Sequence, residues 1–246
     1  MTQAAPLQGP SKHPERIAGM FNAIARRYDL LNRVLSAGLD RHWRRRAIRS
    51  LGLTGRETLL DVCTGTADVA IAGVRAIPGA AQVLGVDFAG AMLDLGWHKV
   101  TRAGLDGSIA LVRGDAMRIP VADRSVDAVT VAFGIRNVQD PAVACAEMAR
   151  ALRPGGRLAI LEFGVPRVAG LRQLYQWYFE RVLPRVGRLV SKHHAAYSYL
   201  PESVGAFFPP EQFVTVLRHA GFDDVRAVPL TFGIVYLYSA RMPSGR

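Results

Sequence analysis

The chain has 246 residues, half of them hydrophobic, which is enough for one well-packed domain of α/β size. Lysine and arginine outnumber aspartate and glutamate by 31 to 20, and the net charge of +11 favours anionic partners such as nucleic acid, phosphate-bearing ligands or an anionic membrane surface. The two cysteines show no disulfide pattern and no apolar stretch approaches the ~20 residues of a membrane span, so we expect a cytoplasmic protein rather than a secreted or membrane-spanning one.

The character of the chain changes near residue 15. Residues 1–14 are rich in Pro, Gln, Ser and Ala and are predicted to be disordered. Apolar residues then recur at helical spacing, which predicts helices over 15–52, ahead of any strand. We expect these helices to belong to a single domain that covers residues 15–246.

Short apolar runs then alternate with helical patterns. This alternation is typical of a parallel sheet covered by helices on both faces. One helix is predicted to end near Leu152, where the turn Pro154-Gly155-Gly156 leads into a buried strand. The predicted strands are 58–62, 81–86, 109–112, 126–133, 157–163, 225–230 and 234–239, and the predicted helices begin at Ala67, Ala89, Pro141 and Pro210.

The alternation is interrupted over 165–209, an inserted segment that we predict to be a helical lid. Within it, residues 168–191 carry apolar side chains on one helical face and arginines, among them Arg181 and Arg185, on the other. Such a helix can lie at the headgroup level of a membrane, and it can equally pack on the sheet or pair two copies of the chain. A peripheral contact with the inner face of the membrane and a homodimer are therefore both open.

The segment "LLDVCTGTADVA" turns from the first strand into a helix. Ligands bind beyond the carboxyl ends of parallel strands, so Asp61, Gly65 and Thr66 lie at the expected site. The turn lacks the G-x-G-x-x-G spacing of dinucleotide sites and the lysine of phosphate loops. It keeps the acid and the central glycine of the D-x-G-x-G-x-G pattern that is typical of S-adenosylmethionine sites, with Cys63 and Ala67 replacing the outer glycines. Taken alone, the turn fits an ordinary connection between a strand and a helix better.

Two further acids end the next two strands. Asp87 closes "VLGVD", where a carboxylate can accept both ribose hydroxyls, and Asp115 in "GDAMRIP" can accept from an adenine amino group. Three acids at successive strand ends are difficult to explain as solvated surface. They favour a ligand of the adenosine type.

Several segments resemble class I S-adenosylmethionine-dependent methyltransferases: "LLDVCTGTAD", "GVDFAGAML", "GDAMRIPVADRSVDAVTVAFGIRNVQD" and "ALRPGGRLAILEF". Two more, "MFNAIARRYDLLNRVLSAGLDRHWRR" and "YSYLPESVGAFFPPEQF", are similar to one family of them, which methylates a ring carbon of demethylmenaquinone or of its ubiquinone-pathway counterpart. The match extends from Ile17 to Arg241.

The resemblance implies a Rossmann-like class I methyltransferase fold, an α/β architecture with a seven-stranded, mostly parallel sheet, helices on both faces and an antiparallel last strand. It implies S-adenosylmethionine as the cofactor, with contacts at Thr66, Asp87 and the Asp115-Ala116 pair. Ala132 stands where some members have a serine that touches the cofactor, so we expect no side-chain contact there.

The turn "CTGTAD" and the N-terminal block are closer to the menaquinone branch of this family. This implies conversion of demethylmenaquinol, a substrate with a polyprenyl tail, to menaquinol. Methylation of a benzoquinol in the ubiquinone pathway is the alternative. A nucleic-acid methyltransferase is a weaker alternative, because "FGIRN" stands where amino-directed enzymes have Asn or Asp before Pro-Pro, and we expect no nucleic-acid partner.

Methyl transfer to a ring carbon requires that the carbon lie about 3 to 3.5 Å from the methyl group, with water excluded from the gap. The ring becomes nucleophilic when a hydroxyl with a pKa near 10 ionises. We predict that Arg136 stabilises the resulting oxyanion and that Asn137 orients the ring. A structural ion pair is the alternative role for Arg136.

The group that removes the hydroxyl proton is predicted to be Tyr197 or a bound water, because Tyr197 belongs to the segment that should fold over the site. His193, His194 and Tyr28 are the other candidates. A guanidinium cannot be this base. No metal is predicted.

Overall fold

The computed structural model describes residues 12–76, 82–178, 181 and 194–245. They contain a seven-stranded sheet with the strand order β3-β2-β1-β4-β5-β7-β6. All neighbouring strands pair in parallel except β7, which is antiparallel to both β5 and β6. The strands are β1 Thr58–Val62, β2 Gln82–Asp87, β3 Ile109–Arg113, β4 Val126–Ala132, β5 Leu152–Phe163, β6 Asp223–Leu230 and β7 Val235–Arg241.

This topology confirms the predicted class I methyltransferase fold with its antiparallel last strand. The central strands are buried along almost their whole length, as expected for continuous apolar runs covered on both faces. The sheet reverses its strand order between β1 and β4, and the carboxyl ends of these strands open the crevice in which α/β sheets bind ligands.

Two helical layers cover the sheet. Trp43 and Ile48 of α2 pack on one face together with α3 and α4, and Met148 of α5 and Phe213 of α8 pack on the other. The helices are α1 Pro14–Leu35, α2 Asp40–Ser50, α3 Asp68–Ala76, α4 Gly90–Arg102, α5 Pro141–Ala151, α6 Ala169–Trp177, α7 His194–Gly205 and α8 Pro210–His219.

Helix α1 lies across the carboxyl edge of the sheet, where it packs against α4 and α7. Pro14 suits its first turn, because the missing N–H would have no helical partner there, and Glu15 complements the positive end of the helix dipole. Its buried residues recur at helical spacing and form the face turned to the molecule. The face consists of Ala18, Ile24, Ala25 and Leu31.

The start of β5 differs from the prediction. We predicted a turn at residues 154–156, whereas the strand begins at Leu152 and passes through this segment with an irregular register against β4. The C-terminal tail explains the difference, because Gly155 N–H donates to the Pro243 carbonyl and Met242 N–H donates to the Gly156 carbonyl. The chain thus finds pairing partners beyond the end of β7 and stays extended.

Other predictions fall partly outside the described residues. These include residues 1–11 of the segment predicted to be disordered, Ala81, Arg185, His193 and much of 168–191. Lys12 and His13 are in no regular element, and α1 begins at the next residue. Of the predicted lid, α6 and α7 are described. Within the described part of the chain, no helix is long and apolar enough to cross a membrane.

Candidate active site

The turn after β1 has a backbone conformation that side chains rarely adopt. Cys63, Gly65 and Ala67 occupy every second position of the turn and have φ values of 56°, 55° and 63°. This left-handed region is open to glycine and costs other residues roughly 1 kcal/mol or more, and such strain is concentrated at functional sites. Cys63 and Ala67, at the outer positions of the pattern, therefore have the backbone conformation that glycine adopts without strain.

The buried carboxylate of Asp61 accepts a hydrogen bond from this turn. Thr64 Oγ1 donates to Asp61 Oδ2 at 2.6 Å, and no group in the described part of the chain donates to Oδ1. Only 1% of Asp61 is exposed, and this burial raises the pKa of its carboxyl to about 7. Asp61 does not line the cavity beyond the turn, so its predicted cofactor contact remains a prediction.

Asp87, Asp115 and Ala116, by contrast, line a cavity of about 100 Å³ together with Gly65 and Asn137, which we call the turn cavity. The Asp87 carboxylate accepts from Gly65 N–H and from Ala89 N–H, both at 2.8 Å. Burial raises the pKa of Asp87. The structure thus brings together five of the predicted site residues.

Asp115 is oriented by its own loop, because its Oδ1 accepts from Met117 N–H at 2.9 Å. Gly114 before it has no room for a side chain, since a Cβ there would lie 2.9 Å from Pro120 Cδ. The backbone therefore reaches the cavity wall directly, next to the acid.

Thr66 faces away from the turn cavity. Its Oγ1 donates to Asp29 Oδ1 at 2.6 Å and accepts from Lys99 Nζ at 3.0 Å. Lys99 also pairs with Asp29 at 2.8 Å and with Asp68. In the structure, Thr66 connects α1 to α4, and its predicted contact with the cofactor stays a prediction.

A second cavity of about 420 Å³ adjoins the first, and we call it the apolar cavity. Phe21, Tyr28 and Phe133 line both cavities, so the two spaces meet at these rings. Most of the other walls are apolar or aromatic. They include Met20, Ile24, Leu31, Leu35, Leu39, Trp43, Phe163, Tyr175, Trp177, Tyr178, Tyr199, Leu200 and Ile234.

Arg136 lies at the edge of the apolar cavity within a buried ion pair. Its Nη1 donates to Glu162 Oε1 at 2.8 Å, its backbone N–H donates to Oε2 at 3.2 Å, and its guanidinium stacks 5.3 Å from the centre of the Phe163 ring. The alternative that we raised for Arg136, a structural ion pair, therefore describes its contacts. Its Nη2 donates to no group in the described part of the chain.

Two buried polar atoms near Arg136 have no partner among the described residues: Asn137 Oδ1 and the Tyr199 hydroxyl. Asn137 lines the turn cavity and Tyr199 lines the apolar cavity. Tyr199 precedes Ser203 by one helical turn of α7, and Ser203 Oγ accepts from Arg136 Nε at 3.3 Å. One face of α7 thus presents both side chains to the Arg136 region.

Tyr199 was not among the predicted site residues, whereas Tyr197 was. The side chains of Tyr197 and His194 are outside the described set. The signal that could have found Tyr199 is its four-residue spacing from Ser203 in "YLPES". Tyr28, a candidate base, does line both cavities, but burial raises the pKa of its hydroxyl and keeps it protonated.

Comparison with solved structures identifies the fold. The chain is similar to a SAM-dependent methyltransferase from Aquifex aeolicus, with a TM-score of 0.60, 18% identity and coverage of 94% of this chain and 98% of that one. It also resembles the cyclase SpnF, with a TM-score of 0.69, 18% identity and coverage of 99% and 100%. At these identities the likeness shows the fold alone.

Comparison of sequences identifies the family. The chain is 44% identical over 225 residues to the ubiquinone/menaquinone biosynthesis C-methyltransferase UbiE of Geotalea daltonii, covering 92% of this chain and 95% of that protein. It is 40% identical over 235 residues to the demethylmenaquinone methyltransferase of Bacteroides fragilis, covering 96% of each. Residues 11–241, nearly the whole chain, match the sequence model of one family. The protein therefore belongs to the ubiE/COQ5 methyltransferase family.

Proposed function

We propose that this protein methylates a ring carbon of a demethylated naphthoquinol and so converts demethylmenaquinol to menaquinol, with S-adenosylmethionine as methyl donor. The observation that carries the proposal is the pair of adjoining cavities, one lined by strand-end acids and the other mostly apolar. The names of the relatives, which refer to ubiquinone, menaquinone and demethylmenaquinone, support it.

The residues of the turn cavity fit the donor. Asp87 and Asp115 offer carboxylate oxygens to ribose hydroxyls and to an adenine amino group, and the unpartnered Asn137 Oδ1 offers one more acceptor. Gly65 brings the backbone close to the ligand in a conformation that suits glycine. The chemistry that S-adenosylmethionine supplies when bound is an electrophilic methyl group.

The apolar cavity fits a flat acceptor with a hydrocarbon tail. Its volume of about 420 Å³ lies within the range of small-molecule sites. The ring of Phe133, where the two cavities meet, lies 4.6 Å from that of Phe163 and 6.0 Å from that of Trp43. These aromatic walls exclude water and restrict a planar ring to a few orientations, which favours an in-line approach.

Arg136 and Tyr199 form the polar corner of this cavity. Arg136 Nη2 and the Tyr199 hydroxyl, which have no hydrogen-bond partner among the described residues, can donate to a ring oxygen, which favours its ionised form. Glu162 compensates the charge of Arg136, so the stabilisation comes from directed hydrogen bonds more than from net charge. Burial raises the pKa of Tyr199, so its hydroxyl donates rather than accepts the acceptor's proton.

The tail of such an acceptor resides in a bilayer, so the proposal includes peripheral contact of the protein with a membrane surface. A benzoquinol acceptor remains the second candidate, because the relative from Geotalea daltonii is named for both quinones. A benzoquinol ring is smaller than a naphthoquinol ring, and the same polar corner can bind its oxygen.

The test is transfer of a labelled methyl group to short-tailed demethylated naphthoquinol and benzoquinol, with tRNA as a negative control. We expect the naphthoquinol to be the best acceptor and tRNA to receive no label. Failure to label either quinol, by protein that binds S-adenosylmethionine, would contradict the proposal.

In the same assay, Tyr199→Phe should lower kcat/KM for the quinol by about tenfold, the value of one buried hydrogen bond, while donor affinity stays unchanged. Tyr238→Phe is the matched control, because Tyr238 is buried in the core and lines neither cavity. An equal loss in both variants would exclude a specific role for Tyr199.

A further inference from the structure

Three separate segments converge at the mouth of the apolar cavity: the turn between α1 and α2, the end of α6 and the turn between β6 and β7. Two hydrogen bonds join them. Trp43 Nε1 donates to Thr231 Oγ1 at 2.9 Å, and the Tyr178 hydroxyl donates to the Leu35 carbonyl at 3.2 Å. The mouth is therefore one continuous surface although its parts are distant in sequence.

Each of these segments exposes a large apolar side chain to solvent. The exposed fractions are 41% for Leu39, 56% for Trp177 and 77% for Phe232. Leu39 and Trp177 also line the apolar cavity, and Phe232 lies between Thr231 and Ile234, which line it too. We call Leu39, Trp177 and Phe232 the apolar rim. An apolar group of this kind beside an apolar cavity indicates a binding surface.

Basic side chains lie close to Leu39 along the chain, on the two helices that its turn connects, and we call them the basic flank. Arg33 in the last turn of α1 and Arg41 and Arg45 in the first turns of α2 are exposed. Within the described part of the chain, these three arginines form no ion pair. Asp40, the acid nearest to them in α2, is buried and bound to Arg44. The charge of this flank is therefore free to attract an anionic surface.

We propose that the apolar rim and its basic flank are the surface by which the protein docks on an anionic lipid membrane. The rim side chains enter the boundary between headgroups and acyl chains, and the arginines contact lipid phosphates. In this orientation the apolar cavity opens toward the bilayer, and a tailed acceptor enters without crossing water. This inference rests on the proposed function.

Lipid fits this surface better than nucleic acid does. The rim supplies an aliphatic and two aromatic side chains at turns and a helix end around a hydrophobic opening, which is the composition of a membrane-interface anchor. A nucleic-acid site would centre on phosphate contacts and would gain little from Leu39 or from a cavity with apolar walls.

The test is sedimentation of full-length protein with vesicles of phosphatidylcholine alone or mixed with phosphatidylglycerol. We expect binding to the mixed vesicles that weakens with added salt, and a loss of at least tenfold in Phe232→Asn and in Arg41→Glu. Asparagine suits position 232 because its φ is 59°. Arg218→Glu is the matched control: Arg218 is exposed on α8, across the sheet from α2, and its variant should bind within twofold of wild type.

No binding of wild type to mixed vesicles, or equal losses in Arg41→Glu and Arg218→Glu, would overturn the proposal. So would an Arg41→Glu variant that loses affinity for duplex DNA but not for vesicles. Thermal melts and donor binding show whether each variant is folded.

Methyl transfer separates this inference from the proposed function. Phe232→Asn should transfer methyl groups to a short-tailed acceptor in solution at the wild-type rate, but more slowly to a long-tailed acceptor embedded in vesicles. Equal rates on the embedded acceptor would contradict the docking surface. No transfer by wild type to either acceptor would instead contradict the proposed function, whatever the vesicle binding shows.

Discussion

At the level of single residues, Asp61 combines two properties that rarely occur together: it is a carboxylate, and it is almost completely buried without a cationic partner in contact. The hydrogen bond from Thr64 does not offset the loss of hydration, so the proton is retained up to about pH 7. The protonated carboxyl is therefore the form that the fold prefers.

This preference predicts how stability depends on pH. The folded state binds the Asp61 proton more tightly than the unfolded state, whose carboxyl has the ordinary pKa of 3.8, so the contribution is present below pH 4 and is lost as pH rises toward 7 and beyond. The difference between the folded and unfolded pKa of Asp61 corresponds to roughly 4 kcal/mol of folding free energy at most. Asp61→Asn should abolish this decline and melt several degrees above wild type at pH 8.

Melting temperatures measured from pH 5 to pH 8 test this prediction. Asp106→Asn is the control, because Asp106 is exposed and its neutralisation should leave the wild-type profile unchanged. Parallel profiles of wild type and Asp61→Asn would show that Asp61 is ionised throughout.

The sequence could place the strand-end acids but not the directions of their side chains. Asp87 and Asp115 face the turn cavity as predicted from their positions, because the carboxyl ends of parallel strands share an edge. Asp61 and Thr66 occupy equally favourable positions, yet Asp61 bonds to Thr64 within the turn and Thr66 bonds to Asp29 of α1. Which way a side chain points depends on partners distant in sequence, such as Asp29, that no local pattern reveals.

At the level of elements, a chain of charged side chains ties the N-terminal helices to the rest of the molecule. Lys99 of α4 bonds to Asp29 of α1 and to Asp68 of α3, and Arg44 of α2 bonds to Asp68 and to Asp40. The carboxylate of Asp68 thus joins two cations, which lower its pKa against the effect of burial. Helix α1 is held over both cavities by this network.

Removing the centre of the network should loosen α1. We expect Lys99→Met to leave Asp29 and Asp68 without their shared cation, to weaken binding of S-adenosylmethionine by roughly tenfold and to speed amide exchange in α1. Arg102→Met, on the same helix but exposed and outside the network, should behave as wild type. Calorimetry and hydrogen exchange measure the two effects, and unchanged affinity in Lys99→Met would refute this role.

The helices and strands themselves were largely predictable, because the spacing of apolar residues and the presence of turn residues are local signals. Strand β4 and helix α8 begin at the predicted residues for this reason. The start of β5 was not predictable, since it depends on pairing with residues near the other end of the chain. The hydrogen bonds between Trp43 and Thr231 and between Tyr178 and Leu35 also join residues distant in sequence, so local patterns could not predict them.

At the level of the whole molecule, binding in the turn cavity should stabilise the fold. The cavity is walled by the β1 turn, the ends of β2 and β4 and the helix α1, so a ligand there connects parts that otherwise separate on unfolding. S-adenosylmethionine at a hundredfold excess over its Kd should add about 2.7 kcal/mol and raise Tm by several degrees. Asp87→Ala should reduce this rise in a thermal scan, and a rise of equal size would exclude Asp87 from the binding site.

The order of the strands could be expected from the resemblance but not from the alternation of strands and helices, which is common to many parallel sheets. The full lining of the apolar cavity could not be predicted from local patterns. Its walls come from α1, α2, α6, α7 and the β6–β7 turn, and only their packing brings these segments together.

The rings of Phe21, Tyr28 and Phe133 belong to two compartments at once. We expect an occupant on one side to restrain these rings and so to alter the space on the other, and thermodynamic linkage makes such an influence mutual. If donor and acceptor bind as we propose, these three side chains are the partition that lies between them, and the affinity for one reactant should depend on whether the other is already in place.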